Sequence, residues 1–212
     1  MNFLIIGATG PTGREIVKQA VDQKHKVTAM VRNTSRANFA PQVGIAVGDV
    51  LDLDSLKKAL AGQDAVISSL GSAATGPFKD MTMLSEGTRN LVTAMRDTGV
   101  LRLVCITGIG AGDSKGHGPW YYNRLIQPLI LRGVYEDKTR QEAIVRDSRL
   151  DWTLVRPALL TNGAARGEKV VRAFTDLAGI QVGSISRADV ASFCLRELVE
   201  CRYRHQAPVI TY

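Results

Sequence analysis

Three glycines near the start of the chain have the spacing of a phosphate-binding loop. Gly7, Gly10 and Gly13 form a G-x-x-G-x-x-G pattern between an apolar run at residues 2–6 and a helical pattern. Such glycines allow a tight turn, close approach of the backbone to a pyrophosphate, and close packing of a helix on a strand. The free amides of the helix N-terminus then face the phosphates. We therefore expect a dinucleotide site rather than a glycine-rich turn without a ligand. Further contacts in this loop are expected from Thr9, Pro11 and Thr12.

The segment after the second predicted strand indicates which dinucleotide binds. An NAD site usually carries Asp or Glu there, which accepts a hydrogen bond from the ribose 2′-hydroxyl. This chain instead has Arg32, Ser35 and Arg36 and no acidic residue. Arginine can bind a phosphate through two parallel hydrogen bonds, and serine can donate another. The segment predicts NADP(H) rather than NAD(H), with solvated loop residues as the alternative interpretation.

The ends of the third and fourth predicted strands complete the expected cofactor site. Asp49 and Val50 follow the third strand, where a carboxylate can accept a hydrogen bond from the adenine amino group. Leu70, Gly71 and Ser72 follow the fourth strand and are expected to pass under the adenine ribose. Ligands of open α/β sheets bind outside these carboxyl ends of strands. A turn-forming role is the alternative for Asp49.

These candidate residues lie at the ends of short apolar runs that alternate with amphipathic stretches. Runs that are brief and rich in Val and Ile are typical of buried parallel strands. Their alternation with helices implies right-handed crossovers and a doubly wound α/β sheet of the Rossmann type. The predicted strands are 2–6, 26–31, 43–47, 65–68, 101–107 and 152–155. The predicted helices are 12–23, 54–61, 81–97 and 135–148.

The last quarter of the chain is less regular than the rest. We expect a strand near 168–174, a helix at 187–200 and a strand at 208–212. These elements would form a small extension on the substrate side of the sheet. The length predicts a single domain over 1–212, with a cofactor-binding core at 1–156 and a substrate-side segment at 157–212.

The composition narrows the classes of function. The 212 residues are 45% hydrophobic and 22% charged, as in ordinary globular proteins. The net charge of +7 is spread along the chain, which favours an anionic small ligand over nucleic acid. The sequence has no run of about 18 apolar residues, so we expect no membrane span. The three cysteines lack metal-site or disulfide spacing, so no metal is expected. We expect a cytoplasmic monomer or homodimer.

These segments resemble the atypical short-chain dehydrogenase/reductase superfamily, and within it the NAD(P)H-binding branch that includes biliverdin reductase B, or NADPH flavin reductase. The resemblance covers nearly the whole chain and is looser beyond Thr107. It implies a Rossmann-type fold, NADPH as cofactor, and hydride transfer to flavins, quinones or other conjugated acceptors. The matching segments are 7–13 (GATGPTG), 27–36 (VTAMVRNTSR), 48–50 (GDV), 61–70 (AGQDAVISSL), 84–95 (LSEGTRNLVTAM) and 184–195.

The resemblance also implies catalytic positions, and here the chain departs from the common pattern. Short-chain dehydrogenases use Y-x-x-x-K, in which lysine lowers the tyrosine pKa and tyrosine acts as acid or base. Lys138 is present, but Val134 stands four residues before it, and Tyr135 stands one residue too late. Lys138 and Glu142 fit a K-x-x-x-E pattern of the extended and atypical branches. The alternative is an ion pair on an exposed helix face.

Thr107 and Pro157 are the other candidates at the reactive end. Thr107 ends the fifth predicted strand and carries a hydroxyl that could polarise a substrate. Gly108 replaces the serine that follows this threonine in biliverdin reductase B. Pro157 resembles the turn that contacts the nicotinamide carboxamide, and Ala158 replaces a histidine. Both replacements weaken biliverdin as the substrate, but flavin reduction needs mainly positioning, because solvent can supply protons.

Residues 108–122 are rich in glycine and end in aromatic residues. Since they follow the carboxyl end of a strand, we interpret them as a mobile flap over the nicotinamide. Trp120, Tyr121 and Tyr122 could stack on a planar acceptor. The alternative is that they anchor the next helix in the core.

Three functions are compatible with these residues. The first is an NADPH-dependent oxidoreductase that transfers hydride to a small-molecule acceptor such as a flavin or quinone. The second is a non-catalytic NADP-binding sensor or regulator, which the displaced Tyr135 favours. The third is a nucleotide-sugar epimerase or dehydratase, which the absence of a tyrosine in register with Lys138 disfavours.

Overall fold

The computed structural model describes residues 1–71, 81–117, 122–129, 131–180 and 182–212, with Arg36, Tyr122, Asn123 and Gln127 described through their backbone. The strands in these ranges are β1 Asn2–Ile6, β2 Lys26–Val31, β3 Gly44–Val47, β4 Ala65–Ser68, β5 Arg102–Ile106, β6 Asp151–Pro157, β7 Leu159–Thr161, β8 Arg172–Phe174, β9 Ser184–Ser186 and β10 Val209–Thr211. The helices are α1 Pro11–Asp22, α2 Leu53–Leu60, α3 Met83–Thr98, the single turn α4 Gln127–Leu129, α5 Arg132–Arg146 and α6 Arg187–Glu200.

One mixed sheet carries the fold. Its strand order is β3-β2-β1-β4-β5-β6-β10-β8, and every described pairing is parallel except that of β10 with β8. Helices form most of the crossovers between successive parallel strands, because two parallel neighbours cannot be joined by a tight turn. The exception is the connection from β2 to β3, which holds only the short 3₁₀ turn Thr34–Arg36. The predicted doubly wound α/β sheet of the Rossmann type is confirmed.

The strands are apolar on both faces because helices cover both faces. Phe3 and Ile5 pack into a core with residues of α1 and α6. Leu4 and Ile6 point the other way, into a core with residues of α2, α3 and α5. This alternation follows from the two-residue period of a strand. The continuous apolar runs of the sequence are therefore the mark of a two-sided core.

The start of α3 is fixed by a side chain of α5. The carboxylate of Asp137 is fully buried and accepts hydrogen bonds from the backbone N–H groups of Leu84 (2.8 Å) and Ser85 (3.2 Å). These amides lack partners within their own helix, and a carboxylate also matches the positive end of the helix dipole. Asp137 thereby anchors the turn of α5 that carries Lys138.

The last quarter of the chain builds a second, two-stranded parallel sheet from β7 and β9. This sheet was not predicted, whereas the predicted helix over 187–200 is observed with the same bounds. Ser186 caps that helix by accepting from the Asp189 amide. The Asp189 carboxylate in turn accepts hydrogen bonds from the Arg166 and Gly167 amides and from the Tyr212 hydroxyl. Asp189 thus ties the loop after β7 to the start of α6.

Candidate functional site

A cleft of about 610 Å³ opens at the carboxyl ends of the central strands. It lies where the strand order reverses between β1 and β4, the position at which open α/β sheets bind ligands. Most of the predicted cofactor residues line it: Gly7, Thr9, Gly10, Pro11, Thr12, Gly13, Arg32, Asp49, Val50, Leu70, Gly71, Thr107 and Lys138. Residues that the sequence analysis did not single out line it as well: Ile6, Met30, Val31, Gly48, Leu51, Ser69, Met83, Ile106, Leu160 and Arg187.

The glycine-rich loop forms a cradle whose backbone is packed too closely for side chains at two of its glycines. Gly7 has a φ of +74°, and a Cβ there would lie 2.5 Å from the Ser69 carbonyl oxygen. A Cβ at Gly13 would lie 2.2 Å from the Gly7 carbonyl oxygen, because α1 begins close against β1. Pro11 opens α1, where its missing N–H is of no consequence. At Gly10 a Cβ would meet only the Gly7 carbonyl oxygen, at 3.3 Å, and residues 9–13 line the cleft. The loop backbone and the N-terminus of α1 are therefore open to a pyrophosphate, so this segment fits a bound dinucleotide.

The end of β2 presents a cation to the cleft. Arg32 is exposed and lines the cleft, and no acidic residue stands beside it in this segment. Ser35 is exposed in the short turn Thr34–Arg36, and its amide donates to the Asn33 side-chain oxygen over 2.9 Å. Ser35 does not line the cleft, and the side chain of Arg36 lies outside the described residues. Of the two side chains that are described, Arg32 is therefore the better placed for a 2′-phosphate.

Asp49 has a structural task in addition to lining the cleft. Its Oδ1 accepts a hydrogen bond from the Leu51 amide (3.0 Å), and its own amide donates to the Ser55 hydroxyl (3.1 Å). The turn-forming alternative is thus observed, and it is compatible with a contact to adenine because a carboxylate has two oxygens. Ser72 lies outside the described residues.

Lys138 and Thr107 meet at the carboxyl end of β5. The Lys138 Nζ donates a hydrogen bond to the Thr107 carbonyl oxygen over 2.6 Å. The Thr107 hydroxyl donates to Glu142 Oε1 over 2.7 Å. Both side chains therefore contact Thr107: Lys138 contacts its backbone, and Glu142 contacts its side chain. The K-x-x-x-E spacing reflects this geometry and not an exposed ion pair, because Glu142 is 1% exposed.

Glu142 is held by a buried arginine beneath the cleft. Arg156 of β6 is 2% exposed and donates from Nε to Glu142 Oε1 (3.0 Å) and from Nη2 to Glu142 Oε2. Arg156 also pairs with Asp113, which follows β5. Burial opposes the charge of Arg156, but the hydrogen bonds and charges of Glu142 and Asp113 outweigh it and raise the pKa of Arg156. The Glu142 carboxylate is thus neutralised within the protein.

Lys138 brings an ammonium group to this end of the cleft. Burial lowers the pKa of Lys138, and the nearby Cys105, Glu142 and Asp137 partly oppose that shift. A lysine with a lowered pKa releases its proton more readily than one in water. One of its three N–H donors is used by Thr107, which leaves the others for a ligand.

Tyr135 and Pro157 stand beside the cleft and do not line it. The Tyr135 hydroxyl lies 3.5 Å from the position a Cβ would take at Gly108, directly after Thr107. Helix α5 runs unbroken through Tyr135 and Lys138, so no irregularity of the helix moves Tyr135 into the usual register. Pro157 ends β6, and its carbonyl oxygen accepts from the Ile109 amide over 3.1 Å.

The interpretation of residues 108–122 as a flap is wrong for their first half. Ile109, Ala111 and Ser114 are buried, and the Ser114 hydroxyl accepts from the Gly110 amide over 2.9 Å. Hydrogen bonds from the Ile109 amide to the Pro157 carbonyl oxygen and from the Gly112 amide to the Thr139 hydroxyl hold this segment against β6 and α5. Trp120, Tyr121 and the side chain of Tyr122 lie outside the described residues, so their proposed stacking stays a prediction.

Two residues of the substrate side were missed in the sequence. Leu160 of β7 and Arg187 at the start of α6 both line the cleft. The Arg187 Nη1 donates to the Asn162 Oδ1 over 2.6 Å. Leu160 and Arg187 are far apart in sequence, and the pairing of β7 with β9 brings their segments together. The match of segment 184–195 to the resembled family was the available signal for Arg187.

In the residues that the structure describes, no helix has the length and apolarity to cross a membrane. Nor are three or more His, Cys, Asp or Glu side chains grouped there as metal ligands. Cys105 is fully buried in β5, and burial raises the pKa of its thiol to about 12.

Comparisons with known proteins show which proteins the chain resembles. The chain is 28% identical over 204 residues to the photosystem II assembly factor Ycf39 of Synechocystis sp., which covers 92% of this chain and 58% of that protein. It is 25% identical over 215 residues to the NAD(P)H azoreductase of Xenophilus azovorans, which covers 99% of this chain and 67% of that protein. The chain thus spans little more than half of the Ycf39 factor.

A solved structure has the same fold. The anaerobilin reductase ChuY of Escherichia coli O157:H7 superposes with a TM-score of 0.82 at 22% identity, covering 100% of this chain and 97% of that one. The model of the family described as NAD(P)H-binding matches residues 7–200, which include the glycine-rich loop, Lys138 and Arg187. With this match over most of its length, the chain belongs to the NAD(P)H-binding family.

Proposed function

We propose that the protein is an NADPH-dependent oxidoreductase that transfers hydride to a flavin, a quinone or a similar planar acceptor. One observation carries the proposal: a single cleft joins Arg32, the glycine cradle and the Lys138–Thr107 pair. These features follow β2, β1 and β5, which lie in the sheet order β2-β1-β4-β5. A dinucleotide extended across these strand ends would have its adenosine end near β2, its phosphates at the glycine-rich loop after β1, and its nicotinamide end near β5.

Each part of the cleft has a task in this proposal. The backbone of the glycine-rich loop and the N-terminus of α1 would hold the pyrophosphate. Arg32 would bind the 2′-phosphate, and Asp49 would accept from the adenine amino group. NADPH supplies hydride when it is bound. Lys138 would orient the ribose on the nicotinamide side and supply a proton to the reduced acceptor, with solvent as the alternative donor.

Thr107 has a restricted role because its proton is already used. Its hydroxyl donates to the charged Glu142, so its oxygen presents lone pairs to the cleft. Thr107 would therefore accept a hydrogen bond from a ligand amide or hydroxyl. Proton donation to the acceptor falls to Lys138. The apolar side chains of Ile106, Met83 and Leu160 supply flat walls for a planar acceptor.

The relative named as an NAD(P)H azoreductase supports a reductase. The experiment is to titrate the purified protein with NADPH and with NADH, following nicotinamide fluorescence, and then to add FMN, FAD or a naphthoquinone and follow absorbance near 340 nm. Tight NADPH binding with steady oxidation supports the proposal. Tight binding with no oxidation by any of these acceptors contradicts it.

A second candidate is an NADP-binding regulator without turnover. It is favoured by the position of Tyr135, which is not among the described residues that line the cleft, and by the similarity to Ycf39, which is named as an assembly factor. The same titration separates the two functions, since a regulator binds NADPH and does not consume it.

A further inference from the structure

Charged side chains are distributed unevenly along the cleft. Four of the described residues that line it are charged: Arg32, Asp49, Lys138 and Arg187. Arg32 and Asp49 follow β2 and β3, at the end predicted for adenosine. Lys138 lies at the end of β5, and Arg187 belongs to the segment that continues from β6 through β7 and β9. Glu142, the carboxylate nearest to Thr107, is neutralised by Arg156. The reactive end is therefore cationic.

The contacts of Arg187 within the described part of the fold do not require a positive charge. It is the first residue of α6, where a positive charge opposes the helix dipole. Its hydrogen bond goes to a neutral amide oxygen, that of Asn162, and no carboxylate of the described residues forms an ion pair with it. Asp189, two residues on, is already bound by two amides and two hydroxyls. Most of the five guanidinium N–H donors thus stay available to a ligand.

We propose that Arg187 forms an anion-binding subsite for the hydride acceptor, so that the preferred acceptor is a planar ring system bearing a carboxylate, sulfonate or phosphate group. This inference rests on the proposed function and names its substrate class. Leu160 and Ile106 contact the apolar ring, and Arg187 binds the anionic substituent. A guanidinium matches the oxygen geometry of all three groups. The subsite thereby selects among acceptors that the apolar walls accept equally.

The test compares a neutral acceptor with its anionic analogue in the wild type and in Arg187→Gln. The acceptors are 1,4-naphthoquinone and 1,4-naphthoquinone-2-sulfonate, with NADPH oxidation as the readout. We expect Arg187→Gln to raise KM for the sulfonate by about 10-fold or more, as expected for the loss of a charge-assisted hydrogen bond. The KM for the neutral quinone and the Kd for NADPH should stay within about 2-fold.

Two control variants separate charge recognition from other effects. Arg166→Gln removes the same charge from the same substrate-side segment, but its guanidinium stacks on Tyr212 at 4.2 Å and does not line the cleft. Asn162→Ala removes the contact to Arg187 and keeps the guanidinium. Both variants should keep the sulfonate preference of the wild type. If Asn162→Ala loses it as fully as Arg187→Gln, Arg187 acts by ordering the loop, and the inference is overturned.

Another result would show that Arg187 binds the cofactor pyrophosphate and not the hydride acceptor. Helix α6 packs against α1, at whose N-terminus the cofactor pyrophosphate is expected. If Arg187→Gln weakens NADPH binding and affects both quinones equally, Arg187 serves the cofactor and the acceptor subsite is refuted.

The subsite can also be tested if the proposed function fails. Should the wild type reduce neither quinone, calorimetric binding of naphthalene-2-sulfonate to the protein loaded with NADP⁺ replaces turnover as the readout. Binding that Arg187→Gln abolishes would support the subsite while the reductase proposal falls. Absence of binding to the wild type would overturn the subsite.

Discussion

The hydroxyl of Thr107 donates to Glu142 Oε1 over 2.7 Å, which joins the floor of the cleft to a buried ion pair. Glu142 holds this hydroxyl and Arg156 with the same oxygen atom. The orientation of Thr107 toward a ligand therefore depends on a charge pair that does not line the cleft. Substitution of Glu142 or Arg156 should therefore change the orientation of the Thr107 hydroxyl.

Removal of Glu142 should destabilise the protein strongly. Glu142→Ala leaves Arg156 charged and 2% exposed, and breaking a buried pair in this way costs about 3–5 kcal/mol. Asp113→Ala is the matched control, since the exposed Asp113 contributes about 1 kcal/mol or less. Urea unfolding of the two variants measures the difference. Equal midpoints would show that the Glu142 pair does not stabilise the fold.

Lys138 should matter for turnover more than for folding. Lys138→Ala removes the donor that contacts the Thr107 carbonyl oxygen, and we expect kcat/KM for a naphthoquinone to fall about 10- to 100-fold. Lys138→Arg keeps the charge and should recover part of the NADPH affinity without restoring the rate. An unchanged rate in Lys138→Ala would remove Lys138 from the chemistry.

Replacement of Lys138 by a neutral residue should make stability depend less on pH. Burial lowers the pKa of Lys138 in the folded protein below its usual 10.5, so the unfolded chain binds this proton more strongly. The cost of burying the charge is present at neutral pH and disappears as pH rises through the window from the lowered pKa to 10.5. The free energy of unfolding of Lys138→Met should exceed that of the wild type by roughly 1 kcal/mol at pH 7. This difference should narrow as the pH rises toward 10.5. Urea unfolding at several pH values measures the gap, and a gap that widens with pH would contradict this reasoning.

Arg32 should set the preference for NADPH. Arg32→Ala should weaken NADPH binding about 10- to 100-fold and leave NADH binding nearly unchanged, because the lost contact is to the 2′-phosphate. Fluorescence titration with the two cofactors measures both affinities in the same variant. If wild-type protein binds NADH as tightly as NADPH, Arg32 does not recognise the phosphate.

Gly13 should tolerate no side chain. A Cβ there would lie 2.2 Å from the Gly7 carbonyl oxygen, so Gly13→Ala should displace α1 and destabilise the fold by about 1–3 kcal/mol, with loss of NADPH binding. Gly163→Ala is the control, because its Cβ would meet Thr161 at an ordinary 3.8 Å. Thermal unfolding compares the two. Similar midpoints would mean that the loop can relax around the added methyl group.

Local sequence patterns were sufficient to predict the helices and strands of the core. The glycine-rich loop and the helix Arg187–Glu200 were predicted because glycine spacing and caps such as Ser186 act within a few residues. The short strands β7 and β9 were missed because three residues carry no periodic pattern. Their pairing depends on the rest of the fold.

The parts of the site that escaped prediction depend on tertiary contacts. The sequence could assign Glu142 to a helix. Its burial, however, depends on Arg156, which approaches it from β6, a separate element of the fold. The burial of Ile109 follows in the same way from its bond to Pro157. Glycine content suggested a flap there, whereas the glycines allow a tight buried turn with positive φ at Gly110 and Gly112.

The parallel order of the sheet also shapes how the chain reaches its fold. Phe3 pairs with Ala65, and Arg156 pairs with Val209, so the central strands meet only after long stretches of chain have been brought together. Entropy of loop closure must be overcome before such contacts form, which makes assembly slow compared with a helical bundle. The strands remain uncovered meanwhile and can associate between molecules. We expect refolding yield to fall as protein concentration rises, while the rate of correct folding stays constant.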